Sequence, residues 1–147
     1  MTPRLEDMVS SLGGERLLGA RLIRSELDFD VLIHEGVPVA ALEHMIGALV
    51  ATQRAILDGL GIAPSTVRRR KRGEKRRLGL VESERTVRLG RIAAIGNDIL
   101  GSVPAVGQWL LRPNLALAGA EPISLLQTDV GAREVEAVLI RALLGYS

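Results

Sequence analysis

The sequence has no cysteine, which removes disulfide frameworks, thiol nucleophiles and thiolate zinc sites together. Its two histidines, His34 and His44, stand apart with no metal-ligand spacing around them, and both read as ordinary helix-surface positions. Three residues are aromatic, Phe29, Trp109 and Tyr146, and none lies among the basic residues. Single-strand binders of the RRM and OB type stack bases on interleaved aromatics, so no RNA partner is expected. No run approaches the roughly 18 apolar residues of a membrane-spanning helix. Arg4, Glu6, Asp7, Glu15, Arg16, Arg21 and Arg24 interrupt the start of the chain, so a signal-peptide pattern is missing and a reducing cytoplasm is the expected setting. Gly13-Gly14 lacks the rest of a phosphate-loop motif, and the acid pairs Glu6-Asp7 and Glu134/Glu136 have no nucleophile or histidine beside them. The expectation is a protein without catalytic residues, metal or cofactor.

What remains is a chain of 147 residues, 47% hydrophobic and 24% charged, enough for one domain or for two small helical units sharing a core. The formal net charge of +2 hides an asymmetry. Between Pro64 and Leu78 stand eight basic residues against the single acid Glu74, a local balance of +7 that leaves −5 for everything else. One compact segment can attract a polyanion while the remaining surface is mildly acidic, and DNA is the leading partner for it.

Hydrophobic spacing and Gly/Pro punctuation predict helices and no strands. Expected helices cover Arg16 to Ile23, Glu26 to Glu35 (stopped by Gly36), and a segment with Pro38 in its first turn and Leu42, Met45, Ile46 and Leu49 on its buried face. Thr52 should cap a short helix that buries Ile56, Leu57 and Leu60, with a turn at Gly61-Ile62-Ala63. The next helix opens with Pro64 and ends near Gly73. At 100° per residue, Ser65, Arg69 and Arg72 lie within about 40° of the side opposite Val67. Thr66 and Arg68 flank that free face, whereas Arg70 and Lys71 fall back toward the body. Two short helices joined by a glycine turn, the second basic on its outer face, form a helix-turn-helix pattern. Ser65, Thr66, Arg68, Arg69 and Arg72 are the candidate major-groove readers, and Lys75, Arg76 and Arg77 the candidate phosphate contacts.

A longer helix follows from Glu82 to Asp98, with Leu89, Ile92 and Ile95 inward and Arg85, Arg88 and Arg91 read first as solvated surface and then as phosphate contacts. Pro104 begins a short helix to Leu111, and Arg112-Pro113-Asn114 breaks the chain. The stretch from Leu115 to Pro122 reads as irregular, followed by a single turn from Ile123 to Leu126. Thr128 should cap a last helix to Leu144, with Val135, Val138, Leu139, Ala142 and Leu143 on one apolar stripe. Trp109, a lone indole at helical spacing, reads first as a packing residue.

These residues resemble the Xre/MbcA/ParS antitoxins of bacterial type II toxin-antitoxin modules. Gly101, Ala105, Trp109, Leu110, Pro113, Asn114, Leu117, Gly119, Pro122, Ile123, Leu126, Thr128, Gly131, Val135, Leu139 and Gly145 follow the spaced pattern of that family's toxin-binding domain. Upstream, Gly36-Val37-Pro38, Gly61-Ile62 and Thr66 to Arg70 resemble its helix-turn-helix, with Glu82-Ser83 and Arg88-Leu89 continuing into the linker helix. One departure is Ala63, where the family often has a capping serine; losing such a cap costs about 1 kcal/mol.

The resemblance implies an all-α protein: an N-terminal helical region over 1–35, an Xre-like helix-turn-helix domain over 36–99 and a small helical toxin-binding domain over 100–147. It also implies a cytoplasmic homodimer whose partners are operator DNA and a RES-domain, NAD-consuming toxin. The antitoxin would cover the toxin's active site and repress its own operon. Trp109, Pro113, Asn114, Gly119 and the terminal Gly145, Tyr146 and Ser147 are the toxin-binding candidates on this ground, Tyr146 and Ser147 with their carboxylate as a tail for a nucleotide pocket. The competing reading is a free-standing helix-turn-helix regulator whose C-terminal domain only dimerises.

Overall fold

A computed structural model describes residues 2–18 and 23–145. Among them every regular element is helical, and the β pairing consists of an isolated antiparallel bridge between Pro38 and Arg77. The helices are α1 (Leu5–Ser11), α2 (Glu15–Leu18), α3 (Glu26–Glu35), α4 (Val39–Ala48), α5 (Gln53–Leu60), α6 (Pro64–Arg72), α7 (Leu80–Leu100), α8 (Val103–Leu110) and α9 (Asp129–Leu143), with 3₁₀ turns η1 (Leu115–Leu117) and η2 (Pro122–Gln127) between the last two.

The boundaries follow the local chemistry. Ser25 and Asp28 form a capping box at the start of α3, and Gly36, at φ 97°, ends it. Thr52, Ser102 and Thr128 each accept a backbone N–H three residues on, opening α5, α8 and α9. Pro38 is the N-cap residue of α4 and not, as the sequence suggested, within its first turn.

Helix α7 is the shared wall: α1, α3, α4, α8, α9 and η2 all pack on it. Small residues let neighbours approach closely, with Leu12 over Gly90 and Val106 over Gly96. A single apolar cluster runs from Met8 to Leu139 through Leu42, Leu57, Leu89, Ile95 and Leu126. Two polar side chains are fully buried in this wall, Ser83 and Thr86. Thr86 returns its hydroxyl proton to the Glu82 carbonyl, while Ser83 reaches another element.

Three further elements differ from the expected ones, and a fourth lies partly outside the described residues. Helix α1 was not foreseen, because its seven residues carry two serines and no strong periodicity. It forms because Met8 and Leu12 are buried against α7, worth roughly 3–6 kcal/mol together, more than the weak propensity of so short a segment costs. Helix α2 covers Glu15–Leu18, and the rest of the helix expected up to Ile23 falls mostly on residues 19–22, outside the described ones. Helix α7 extends two residues further at each end than Glu82 to Asp98. The apolar stripe of α9 is buried at Val135, Val138 and Leu139, but Ala142 and Leu143 are exposed because nothing among the described residues covers the last turn.

Candidate nucleic-acid and partner interfaces

The helix-turn-helix is built from α5 and α6. Ile56, Leu57 and Leu60 anchor α5 in the core; Gly61 turns the chain at φ 68°, in the left-handed region open to glycine. Pro64 then occupies the first turn of α6, while Ala63 supplies no capping side chain. With Val67 buried, Ser65, Arg68, Arg69 and Arg72 are all exposed and Thr66 is half-buried at the flank. Lys71 turns back to the body, its Nζ 2.7 Å from Glu43 on α4, and the Arg70 guanidinium lies beside Gly79. The side chains of Arg68, Arg69, Arg72, Lys75 and Arg76 make no hydrogen bond or ion pair to any described residue. They form a block of uncompensated positive charge on α6 and the loop after it.

That loop is fastened at its far end. Val39 N–H donates to the Arg76 carbonyl (3.0 Å) and Leu78 N–H to the Val37 carbonyl (2.8 Å), with Arg76 at φ 50°. Ser83 Oγ accepts the Val37 N–H at 2.9 Å and turns its own proton toward the Leu78 carbonyl. Arg77, a phosphate candidate by sequence, is half-buried and its Nη1 donates to the Gly36 carbonyl at 2.7 Å. The structure therefore places Arg77 as a clamp across the base of the loop and its neighbours Lys75 and Arg76 on the open side.

The three arginines of α7 are not solvated surface. Arg85 Nη1 donates to the carbonyls of Leu60 and Gly61, at 2.9 and 3.0 Å, satisfying the C-terminal end of α5 at the helix-turn-helix corner. Arg88 donates to the carbonyls of Leu126 and Gln127 and pairs with Glu84. Arg91 bonds to Glu136 of α9 and, at 3.1 Å, to Glu26 of α3. Burial opposes the charge on Arg91, but the hydrogen bonds and charges of Glu136 and then Glu26 outweigh it, and its pKa is raised.

In the C-terminal part, Trp109 packs half-buried on the core and lines a pocket of about 340 Å³ with Leu100, Ala105, Gln108, Arg112, Pro113 and Asn114. Asn114 accepts the Ala116 N–H on its Oδ1 and caps η1. Gly119, at φ 83°, follows Ala118, which is itself left-handed at φ 57°. Gly145 is exposed at the end of the described chain, and Tyr146 and Ser147 lie outside the described residues. The toxin candidates Trp109, Pro113, Asn114 and Gly119 are thus brought into one neighbourhood. Sequence reasoning passed over Leu115, which is 96% exposed between them.

Comparison with known proteins accounts for both regions. Residues 28–91 match the antitoxin Xre-like helix-turn-helix domain, and residues 96–143 match the antitoxin Xre/MbcA/ParS C-terminal toxin-binding domain. The chain is 30% identical over 128 residues to a protein of Sphingobium sp. named "Prs ADP-ribosylating antitoxin", covering 81% of this chain and 77% of that one. It is 31% identical over 65 residues to the antitoxin Xre of Pseudomonas putida, covering 44% of this chain and 41% of that one. An all-helical chain with a helix-turn-helix domain followed by a toxin-binding domain, similar to such a relative over most of both lengths, belongs to the Xre/MbcA/ParS family of antitoxins.

Proposed function

We propose that this antitoxin neutralises a RES-domain, NAD-consuming toxin by covering its active site with residues 100–147, and that as a cytoplasmic homodimer it represses its own operon through residues 36–99. On this reading the chain is not itself an enzyme and needs no cofactor. Trp109, Pro113, Asn114, Gly119, Gly145, Tyr146 and Ser147 serve the toxin contact. Ser65, Thr66, Arg68, Arg69 and Arg72 face the major groove and Lys75 and Arg76 the phosphates, while Arg77 fastens the loop that presents them.

The observation that carries the reading is the combination, in one chain, of a toxin-binding domain with an α6 whose outward arginine side chains have no partner among the described residues. Lys71 is taken up by Glu43, whereas the outward block is left unpaired, and clustered positive charge on an otherwise mildly acidic chain favours an external polyanion. The name of the Sphingobium relative couples ADP-ribosylation to its antitoxin, and ADP-ribosyl transfer consumes NAD, which supports the proposed toxin class.

The test mixes the purified antitoxin with the toxin encoded beside it and follows NAD. Co-elution and arrest of NAD loss at stoichiometric antitoxin are expected. Separate elution with NAD loss unchanged under excess antitoxin overturns the neutralisation.

A further inference from the structure

We propose that Leu115 is a preformed anchor that enters an apolar recess on the toxin, and that Asn114 is the residue that positions it. The inference rests on the toxin-binding reading above and names the side chains that would carry it.

An isolated exposed leucine is common on protein surfaces and by itself means little. Leu115 differs in how it is held. It is 96% exposed, the most exposed of the large apolar side chains among the described residues, yet the backbone around it is tied at five points. Asn114 Oδ1 accepts the Ala116 N–H at 2.9 Å, Asn114 N–H donates to the Ala120 carbonyl at 3.0 Å, and the Asn114 carbonyl accepts from Leu117 (3.0 Å) and Gly119 (2.9 Å). Ala118 N–H closes the tip on the Leu115 carbonyl at 3.2 Å. Leu117 is buried beneath, and Ala118 is held at φ 57°, a conformation that costs an L-residue energy and persists only where its surroundings enforce it. A stiff, convex loop has been built to hold an apolar tip in water.

That geometry suits association with another protein. Ordering a flexible loop on binding erodes affinity, and a preordered one avoids the loss. Buried apolar anchors at the centre of an interface dominate its energy. The loop lies inside residues 96–143, matched by the toxin-binding domain, so its occupant is the toxin. Its flank continues into the pocket of Trp109, Arg112, Pro113 and Asn114, and η1 packs on α9, whose last turn leaves Leu143 and Leu144 exposed. A convex apolar point needs a concave receptor, and enzymes offer one in the clefts where they bind small molecules.

The experiment titrates the toxin encoded beside this gene into full-length antitoxin by calorimetry, with melting temperature and light-scattering mass recorded for each free variant. Leu115→Asp should weaken the complex by about thirtyfold or more, the loss of one hot-spot side chain, while Leu115→Met stays within about threefold of the parent. Because Leu115 is solvent-exposed, neither change should move the melting temperature or the mass. Asn114→Ala, which loosens the loop with Leu115 intact, should weaken binding about fivefold or more. Asn114→Asp keeps the acceptor for Ala116 N–H and should restore it. Leu115→Asp binding within threefold of the parent overturns this proposal alone; a parent protein that does not bind toxin overturns it together with the neutralisation reading. A changed mass of free Leu115→Asp with toxin affinity intact would assign the tip to a second copy of the chain and also overturn it.

Discussion

Replacing Ser83 with alanine should destabilise the protein well beyond what one hydroxyl suggests. Ser83 is fully buried on α7, and its Oγ accepts the N–H of Val37, itself fully buried in the link between α3 and α4. No other acceptor takes that N–H among the described residues. Alanine leaves the shape of the site almost unchanged, so no cavity term arises; the loss is the desolvation of an unpaired backbone donor, about 1–3 kcal/mol. In a chain of this length each kcal/mol shifts the melting temperature by about 2–4 °C, so a central loss of about 2 kcal/mol lowers it by about 4–8 °C. Calorimetry on Ser83→Ala measures the shift, with Ser11→Ala as control, since the Ser11 hydroxyl bonds the Asp7 carbonyl in contact with solvent and its loss should stay within about 0.5 kcal/mol. Amide exchange adds a local readout: the Val37 N–H, and next to it those of Leu78 and Val39, should exchange faster. A Ser83→Ala protein as stable as the control, with Val37 still protected, would refute the claim that this hydroxyl is the sole support of that N–H.

The double change Lys75→Ala/Arg76→Ala should reduce the slope of log K against log salt by about 1.8, the share of two lost phosphate contacts, whereas Arg69→Ala/Arg72→Ala should cost about 1–3 kcal/mol per base contact and relax sequence preference; operator affinity unchanged by the second pair in a salt-series gel shift rejects the assignment of α6. Gly131→Ala should lower stability by about 1–3 kcal/mol in urea titration, because the added Cβ meets the Leu125 carbonyl where α9 leaves η2, and rigid backbone cannot yield as a side chain could. Val50→Asn should raise the melting temperature by about 2–4 °C: Val50 is a β-branched residue at φ 53° and 75% exposed, so asparagine relieves strain of about 1 kcal/mol without removing buried contacts. An unchanged or lower melting temperature would show that the strain is absent or that the valine is packed.

Helices α3, α5 and α6 are legible in the sequence almost to the residue because they are punctuated: Gly36, Thr52, Gly61, Pro64 and Gly73 each act on the backbone locally, without reference to the rest of the fold. The outward face of α6 follows from the same local arithmetic once Val67 is taken as the anchor. What could not be read is whatever depends on distant partners. Periodicity distinguishes the sides of α7 but cannot say that Arg85 and Arg88 end on carbonyls of α5 and η2, or that Lys71 meets Glu43 while the Arg69 side chain has no partner among the described residues. Helix α1 exists through its docking on α7 and so escapes a reading based on propensity. Leu115 was hidden for a related reason: irregular segments carry no period, and whether an apolar side chain there turns in or out is decided by the hydrogen bonds of its loop.

Helix α5 and the turn η2 meet face to face, with Ile123 lying over Gly59 and Gln127 Nε2 donating to the Gly59 carbonyl at 3.0 Å. The head that would grip the operator and the half that would grip the poison are therefore not interchangeable cassettes strung on a tether. A hybrid antitoxin spliced from two relatives along α7 would inherit mismatched halves of this joint. Unless glycine 59 travels with a β-branched neighbour at 123 and an amide at 127, such a chimera should fold poorly however well each part suits its own target. Recombination among these genes would then favour exchange of whole antitoxins over exchange of their halves.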